Sequence, residues 1–165
     1  MNQSMQANRG FTLVEMMITL TVIGVLLAIA VPSFRQITLN QGIRTASFDL
    51  FSALELARSE AIKRNTCVSV KPDSTWSTGW KVVDSANNTL RRWTATSTVS
   101  TTTTPTSLAD VTFARDGHLS QSTCTGTVSA PKMQLDPTTT MNGVDSRCIS
   151  VDLIGRPKTQ MGACS

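Results

Sequence analysis

Gly10-Phe11-Thr12-Leu13-Val14-Glu15 opens an apolar run that continues to Val31. From Phe11 to Val31, the only ionisable side chain is Glu15. An α-helix rises about 1.5 Å per residue, so a helix of this length can cross the hydrocarbon core of a bilayer, which takes roughly 20 residues. A carboxylate in such a helix costs on the order of a few kcal/mol unless another charge pairs with it. The pattern therefore predicts a membrane helix whose function depends on the partner of Glu15.

Two interpretations of Glu15 need no second molecule. Thr12 and Glu15 have the spacing of a capping box, which satisfies the backbone N–H groups at the start of a helix. Alternatively, the run is a secretory signal peptide, with Arg9 as its basic residue and Ala28-Ile29-Ala30 as its cleavage site. The apolar run is longer than the usual 7–15 residues, roughly, of a signal peptide, and an acidic residue in its first turn is unusual there.

A third interpretation pairs Glu15 with a second molecule. If the chain is cut after Gly10, Phe11 gains a free α-amine. Glu15 can then neutralise the amine of a neighbouring subunit when the two helices pack in lipid. Two buried opposite charges on different chains favour assembly over the diffusion of separate helices. This interpretation gives a reason for a carboxylate in an apolar helix.

A helical pattern continues beyond the apolar run, and we expect one helix from Phe11 to Asn65. Pro32 removes one backbone hydrogen bond and favours either a kink or a plain helix end at that point. Glu60 and Arg64 are four residues apart, in the favourable order for an ion pair on a helix. Apolar residues spaced by three and four form a stripe that a sheet must cover: Leu39, Ile43, Ala46, Leu50, Leu54, Ala57 and Ala61.

After Thr66 the apolar period changes from that of a helix to that of β-strands. The Thr/Ser-rich stretch from Thr94 to Ser107 indicates a solvated loop or an irregular edge strand. A long helix against antiparallel strands is an α+β layering. The predicted strands are Thr66–Lys71, Trp80–Asp84, Thr89–Trp93, Leu108–Ala114, Val128–Leu135, Cys148–Ile154 and Thr159–Cys164, with the last two forming a C-terminal hairpin around Gly155.

The start of the chain resembles the class III signal of type IV pilins and type II secretion pseudopilins. The resemblance rests on the motif from Gly10 to Glu15, on the apolar stretch that ends at Pro32, and on a short leader with one basic residue. It implies that a prepilin peptidase cuts between Gly10 and Phe11 and methylates the new amine of Phe11. It also implies that Glu15 guides the docking of subunits.

Four further motifs are similar to the GspH/FimT branch of the pilin-like proteins. The resemblance extends from the leader to the C-terminus and is weakest from Thr94 to Ser107. It implies a pilin-like α+β fold, with a long N-terminal helix packed on an antiparallel sheet. The motifs are Ala57-Arg58-Ser59-Glu60-Ala61, Trp76-x-x-Gly79-Trp80, the run from Val111 to Gly117, and Gly155-Arg156 in the final hairpin.

The resemblance divides the chain into three segments. They are a prepilin leader at residues 1–10, a transmembrane and assembly helix at 11–32, and a periplasmic globular domain at 33–165. It implies a minor type IV pilin that is held in the inner membrane and then joins the pilus. There it would contact other minor pilins and the major pilin at or near the tip, and would help to prime assembly. A type II secretion minor pseudopilin of the GspH kind is the alternative.

The four cysteines favour disulfide bonds, because a domain outside the cytoplasmic membrane lies in an oxidising compartment. No pair has the C-x-x-C spacing of a zinc or thioredoxin site. If the last hairpin turns at Gly155, Cys148 and Cys164 fall roughly opposite each other. We therefore expect Cys148–Cys164, which leaves Cys67–Cys124, although four cysteines permit three connectivities.

The residue inventory does not favour an enzyme. Charged residues make up 16% of the chain, Tyr is absent, and His118 is the only imidazole. Asp110 and Asp116 flank a predicted strand without the spacing of a catalytic pair. Neither a phosphate-binding loop nor a nucleophile elbow nor a metal-ligand cluster occurs in the sequence. We expect no catalytic residue, no metal and no cofactor.

Basic residues near the C-terminus offer a further candidate partner, double-stranded DNA. We expect Arg147, Arg156 and Lys158 near one end of the domain. The Gly155-Arg156-Pro157-Lys158 stretch resembles the Gly-Arg-x-Arg motif of DNA-binding members of the branch, with Lys158 in place of the second Arg. A lysine still contacts phosphate, but as a point charge and not as a fork. The alternative is a plain glycine turn with solvated basic residues.

Overall fold

The computed structural model describes residues 10–121, 123–126 and 128–165. Its first element is a helix, α1, which spans Leu13–Arg64 and passes through Pro32 without ending. Asn65 follows in the left-handed conformation, at φ 53°, in which helices commonly end. The expected helix from Phe11 to Asn65 is thus confirmed, with its ends moved by one or two residues. Most of the expected leader, residues 1–9, lies outside the described residues.

The chain divides into two compact units, and α1 contributes to both. The first unit ends at Arg35 and the second spans Gln36–Ser165. Every described residue of the first unit is exposed. Within α1, the most apolar stretch of 18 residues has a mean hydropathy of 2.4, and none of that stretch is buried. By length and composition, this is a helix that can cross a membrane.

The second half of α1 packs on strands, as the apolar stripe predicts. The stripe residues share one face because they recur every three or four positions. Leu39 is half-buried, and Ser47 and Ala53 are buried beside the stripe. The fully covered members of the stripe are Ile43, Ala46, Leu50, Leu54, Ala57 and Ala61. Together with apolar residues of the strands they form one core.

Among the residues that the structure describes, nine strands follow α1 and form two antiparallel sheets, where a single sheet was expected. The first sheet has the order β3-β2-β1-β5-β6, and the second has the order β4-β7-β8-β9. The strands are β1 Val68–Pro72, β2 Gly79–Asp84, β3 Thr89–Thr94, β4 Val99–Thr104, β5 Val111–Phe113, β6 Leu119–Ser120, β7 Lys132–Pro137, β8 Arg147–Val151 and β9 Pro157–Met161.

Several strand boundaries differ from the predicted ones, because turns and neighbouring strands determine which residues pair. The stretch from Thr94 to Ser107 contains β4, which pairs with β7 at the edge of the second sheet. Its threonines are β-branched and suit a half-exposed strand. The strand expected at Val128–Leu135 begins four residues later, at Lys132. The strand expected at Thr159–Cys164 is shifted towards the turn and spans Pro157–Met161.

The motif Trp76-x-x-Gly79-Trp80 leads into β2 and contributes two tryptophans to the core. The indole Nε1 of Trp76 donates to the carbonyl oxygen of Leu108 at 2.8 Å. Gly79 has φ +144°, and a Cβ at this position would collide with the carbonyl oxygen of Trp93 on the neighbouring strand. Only glycine permits this backbone conformation and this close approach. The ring of Trp80 then enters the core, where it is 1% exposed.

Candidate functional site

The N-terminal motif combines an exposed Gly10–Phe11 bond, the expected cleavage position, with a capped helix. Gly10 and Phe11 precede α1 and are exposed. The backbone N–H of Glu15 donates to Oγ1 of Thr12 at 3.2 Å. The backbone N–H of Thr12 reaches a carboxylate oxygen of Glu15 at 3.5 Å. The hydroxyl of Thr12 also donates to this oxygen at 3.5 Å. Among the described residues, Thr12 is the only hydrogen-bond partner of the Glu15 carboxylate, and no cation pairs with it.

The capping box therefore satisfies the start of the helix without neutralising the charge of Glu15. The carboxylate remains exposed and available to a group from another molecule. The capping interpretation and the inter-subunit interpretation of Glu15 are compatible in this geometry. They differ in what each requires: a hydrogen-bond acceptor suffices for the cap, whereas pairing with an α-amine requires the negative charge.

The turn between β8 and β9 brings Arg156 and Lys158 together around an acidic residue. Asp152 Oδ1 accepts a hydrogen bond from the backbone N–H of Arg156 at 2.8 Å. Asp152 Oδ2 lies 3.4 Å from Nε of Arg156 and 3.6 Å from Nζ of Lys158. The backbone hydrogen bond, followed by these two positive charges, lowers the pKa of the Asp152 carboxyl. The negative charge of Asp152 offsets part of the positive charge of the turn.

Arg147 lies at the opposite end of the same hairpin, so the expectation of three cations near one end is wrong. Lys158 pairs with Ser150 beside the turn, whereas Arg147 pairs with Met161 at the far end. Four residues separate Arg147 from the end of β8, a distance of about 13 Å along a strand. The expectation treated a residue one strand away as near the turn, but the whole length of β8 separates Arg147 from it.

Arg147 instead shares a surface with residues of α1 that the sequence analysis did not select. A cavity of about 320 Å³ is lined by Arg44, Phe48, Phe51, Arg147 and Thr159, together with Ser47. A neighbouring cavity of about 290 Å³ shares Arg44 and Arg147 and includes Met161. Phe48 falls outside the apolar stripe of α1. An aromatic residue on the polar face of an amphipathic helix was the available signal for this surface.

The turn glycines of two family-like motifs meet in the structure. Gly155 approaches the carbonyl oxygen of Gly117 so closely that a Cβ on Gly155 would collide with it. Arg58 of α1 binds both turns: its Nε donates to the carbonyl of Gly117 at 3.2 Å, and its Nη2 to the carbonyl of Ile154 at 3.4 Å. These contacts hold the β8–β9 turn against the helix and the turn after β5. The glycines of the two motifs are therefore packing positions.

Both expected cysteine pairs are bonded in the structure. Cys67, which precedes β1, is joined to Cys124, and the Cα–Cα distance is 5.8 Å. Cys148 of β8 is joined to Cys164, with a Cα–Cα distance of 5.1 Å. Both distances suit a disulfide. The second bond fastens the segment after β9 to the interior strand β8.

The remaining candidate residues form no reactive cluster. Nδ1 of His118 lies 3.1 Å from Oδ2 of Asp116, and both side chains are exposed. Asp110 is half-buried, and burial raises the pKa of its carboxyl. In the parts of the chain that the structure describes, no group of three or more His, Cys, Asp or Glu side chains could hold a metal ion.

Comparison with protein families gives two matches. The family described as "Type II transport protein GspH" matches residues 46–155, about two thirds of the chain. The "Prokaryotic N-terminal methylation motif" matches residues 5–31. The first match covers the second half of α1 and most of the strands. The second covers the apolar run and the stretch that contains Gly10, Phe11 and Glu15.

Similar proteins come from pilus and secretion systems. Two proteins from Pseudomonas aeruginosa, each named "Fimbrial protein", are 41% identical over 58 residues, which is 35% of this chain and 37% of theirs. The minor pilin FimU of the same organism is similar in structure, with a TM-score of 0.57 and 20% identity over 71% of this chain and 91% of FimU. The minor pseudopilin EpsH of Vibrio cholerae has a TM-score of 0.53 and 9% identity over 72% of this chain and 96% of EpsH. These two likenesses concern the fold.

Proposed function

Because this chain belongs to the GspH family, which comprises minor pilins and pseudopilins, we propose that it is a minor type IV pilin that enters the filament through α1. Family and fold are those of structural proteins and not of enzymes. The single observation that carries the proposal is the burial pattern of α1. Its second half is covered by strands of the same chain, while its first half is exposed throughout.

An apolar helical surface of this extent is unfavourable in water and needs either lipid or other helices around it. Before assembly, we place the first half of α1 in the inner membrane as a single pass, with the domain on the periplasmic side. During assembly, packing with the corresponding helices of other subunits replaces the lipid. The chain then becomes part of the pilus at the cell surface, near other minor pilins and the major pilin.

Processing at Gly10 supplies the charge that completes this mechanism. Prepilin peptidase would cut the exposed Gly10–Phe11 bond and methylate the amine of Phe11. A methylated amine keeps its positive charge at neutral pH. It would pair with the Glu15 carboxylate of an adjacent subunit, which has no cationic partner among the described residues of its own chain. Opposite charges in an apolar surrounding attract strongly, so this pairing would set the axial position of one helix against the next.

The pilus assignment is preferred to the secretion assignment on one ground. The matches that exceed 40% identity are fimbrial proteins, whereas the similar pseudopilin shares the fold alone. Double-stranded DNA is not included in the proposal, because Asp152 offsets the charges of Arg156 and Lys158 and Arg147 lies at the other end of the hairpin.

The decisive experiment is mass spectrometry of the N-terminal peptide of protein taken from membranes and from sheared pili of the native host. We expect N-methyl-Phe11 as the first residue in both fractions. A Gly10→Val variant provides the matched control, because a β-branched residue at the cleavage position should leave the leader attached and keep the chain out of pili. A mature protein that begins after Ala30, or one that retains Met1 in pili, would contradict the proposal.

A further inference from the structure

A groove between α1 and the edge strand β9 is left uncovered by the rest of the domain. We call it the α1–β9 groove and define it by Arg44, Phe48, Phe51, Arg147, Thr159 and Met161. β9 is the last strand of its sheet and pairs only with β8 among the described strands. The hydroxyls of Ser47 and Thr159 lie 3.4 Å apart, which shows that α1 passes directly beside β9.

Large apolar side chains in this groove remain in contact with water. Phe48 is 72% exposed and Met161 is 66% exposed. Pro157, Thr159 and Met161 alternate onto the face of β9 that is directed at α1, because Thr159 contacts Ser47 and strand residues alternate. Only Pro157 of these three is buried. The helix therefore covers the turn end of β9 and leaves its far end open.

The groove also contains an unpaired, half-buried charge. Along β8, Arg147 has the same parity as Ile149 and Val151, which are buried in the core, so its side chain leaves the strand on the core side. Neither Arg147 nor Arg44 forms an ion pair or side-chain hydrogen bond with any described residue. Asp145 lines the cavity as well, but it forms no ion pair with either arginine among the described residues. A partly desolvated guanidinium without a partner is destabilising, and a carboxylate from outside would remove that cost.

We propose that the α1–β9 groove receives an acidic segment of a neighbouring pilin-like subunit, with a carboxylate between Arg44 and Arg147 and an apolar side chain against Phe48 and Phe51. The inference rests on the proposed function, because it requires a neighbour packed along α1. Two guanidinium groups and one carboxylate give the cavity a positive balance that suits an acidic partner. Phe, Met and Arg are also the residue types that are enriched at the centres of protein interfaces.

The position of the groove on α1 favours a subunit over other partners. Ile37 is 63% exposed and lies eleven residues before Phe48, which is three helical turns, so both side chains lie on the same face of α1. Arg44 lies between them on that face. A neighbour that packs along this face of α1 therefore reaches the groove without crossing another element of the domain.

Photocrosslinking in the native host tests the proposal on the full chain. p-Benzoylphenylalanine replaces Phe48 in one strain and Thr102 in a control strain. Thr102 is exposed on β4, at the opposite edge of the same sheet. We expect Phe48 to give an adduct that mass spectrometry identifies as a second pilin-like subunit, with the linkage within a few residues of an Asp or Glu. Arg147→Glu in the same strain should lower the adduct yield about tenfold or more, because it opposes the partner's charge. Arg156→Glu should leave the yield unchanged.

Several outcomes would overturn the inference. Equal adduct yields at Phe48 and Thr102 would show that contact is not confined to the groove. If the only adducts join two copies of this chain, the groove binds a second copy and not an acidic segment of a different subunit. If detergent-solubilised Arg147→Glu protein no longer binds a 30-bp DNA duplex while the adduct yield is unaffected, the arginines bind nucleic acid and not an acidic subunit. If the chain is processed at Phe11 and enters pili but gives no adduct at Phe48, the inference about the groove is wrong and the proposed function still holds. If the chain in pili is not processed, the proposed function itself is wrong.

Discussion

The two halves of α1 are one continuous helix with opposite surroundings. Leu26 in the first half is 61% exposed, whereas Leu50 in the second half is 0% exposed. The residue type and the secondary structure are the same at both positions, so neither explains the difference. What differs is whether the chain supplies a covering surface. The strands cover the second half, and nothing in the described chain covers the first. The sequence of the uncovered half is therefore explained by contacts with other molecules, and that of the covered half by packing within the domain.

The sharpest test of this difference is Glu15→Gln, which separates the two roles of the first acidic residue. Glutamine keeps the capping box with Thr12 but removes the negative charge. If the charge pairs with the amine of a neighbour, the amount of the chain in sheared pili should fall about tenfold or more, since the amine then loses its partner in an apolar surrounding. Quantitative immunoblotting of pili and of membranes measures this ratio.

Thr12→Ala is the matched control for Glu15→Gln. It removes the hydrogen bond that Oγ1 of Thr12 accepts from the backbone of Glu15, but it leaves the carboxylate in place. Loss of an N-cap costs about 1 kcal/mol of helix stability, which is little for a helix of this length. We expect incorporation close to that of the wild type. If Thr12→Ala is impaired and Glu15→Gln is normal, then Glu15 acts as a cap and the two halves of α1 differ less than we infer.

The next effect in size concerns stability. Leu50→Ala should lower the free energy of unfolding by about 2–5 kcal/mol, because it removes a fully buried side chain and leaves a cavity. Leu26→Ala should change it by less than about 0.5 kcal/mol, because its side chain makes no contribution to the core. Urea unfolding of the full chain in detergent, followed by tryptophan fluorescence to which the buried Trp76 and Trp80 contribute, measures both. Equal losses of stability for the two variants would contradict the inference that only the second half of α1 contributes to the core.

The smallest effect comes from Glu60, an acidic residue in the second half that has cations on its own helix. Glu60 contacts Arg64 at 2.5 Å and Lys63 at 3.6 Å. The hydrogen bond from Arg64 is the main cause of the lowered pKa of Glu60. A carboxyl with a lowered pKa stabilises the fold above its unfolded pKa of 4.5, and this contribution is lost as the pH falls through the folded pKa.

Glu60→Gln should therefore lower Tm slightly at pH 7, by about 1 °C or less, as exposed ion pairs contribute little. The difference from the wild type should shrink as the pH falls below 4.5 and through the folded pKa of Glu60. Thermal melts followed by circular dichroism at pH 7 and over a series of acidic pH values provide the measurement. A difference that persists at low pH would mean that Glu60 acts through packing. Glu60 thus has its charge partner within the helix, which Glu15 lacks in the described chain.

Much of the fold followed from periodicity, because local spacing determines which face of an element is apolar. The stripe from Leu39 to Ala61 predicted the buried side of α1, and six of its seven members are buried. The Gly-Phe-Thr-Leu-Val-Glu motif predicted the match to the methylation signal. Both inferences depend only on residues that lie near each other in sequence.

Features that depend on distant pairing did not follow from the sequence. The split into two sheets arises because β4 pairs with β7, more than thirty residues later. The location of Arg147, at the end of β8 away from Arg156, depends on the register of the β8–β9 hairpin. The role of Phe48 depends on a tertiary arrangement, because it lines a cavity together with Thr159 of β9. The roles of such residues depend on strand register and tertiary contacts, and the periodicity of the sequence determines neither.

If the chain is a filament subunit, as we propose, its two disulfides have a mechanical consequence under load. A cross-link prevents the enclosed backbone from being drawn out, whatever happens to the hydrogen bonds around it. Cys67 and Cys124 are 57 residues apart, so at about 3.5 Å per extended residue this loop alone withholds roughly 200 Å of length. When tension reaches the domain, we expect it to resist as a short tether and to return to its fold once the force is released.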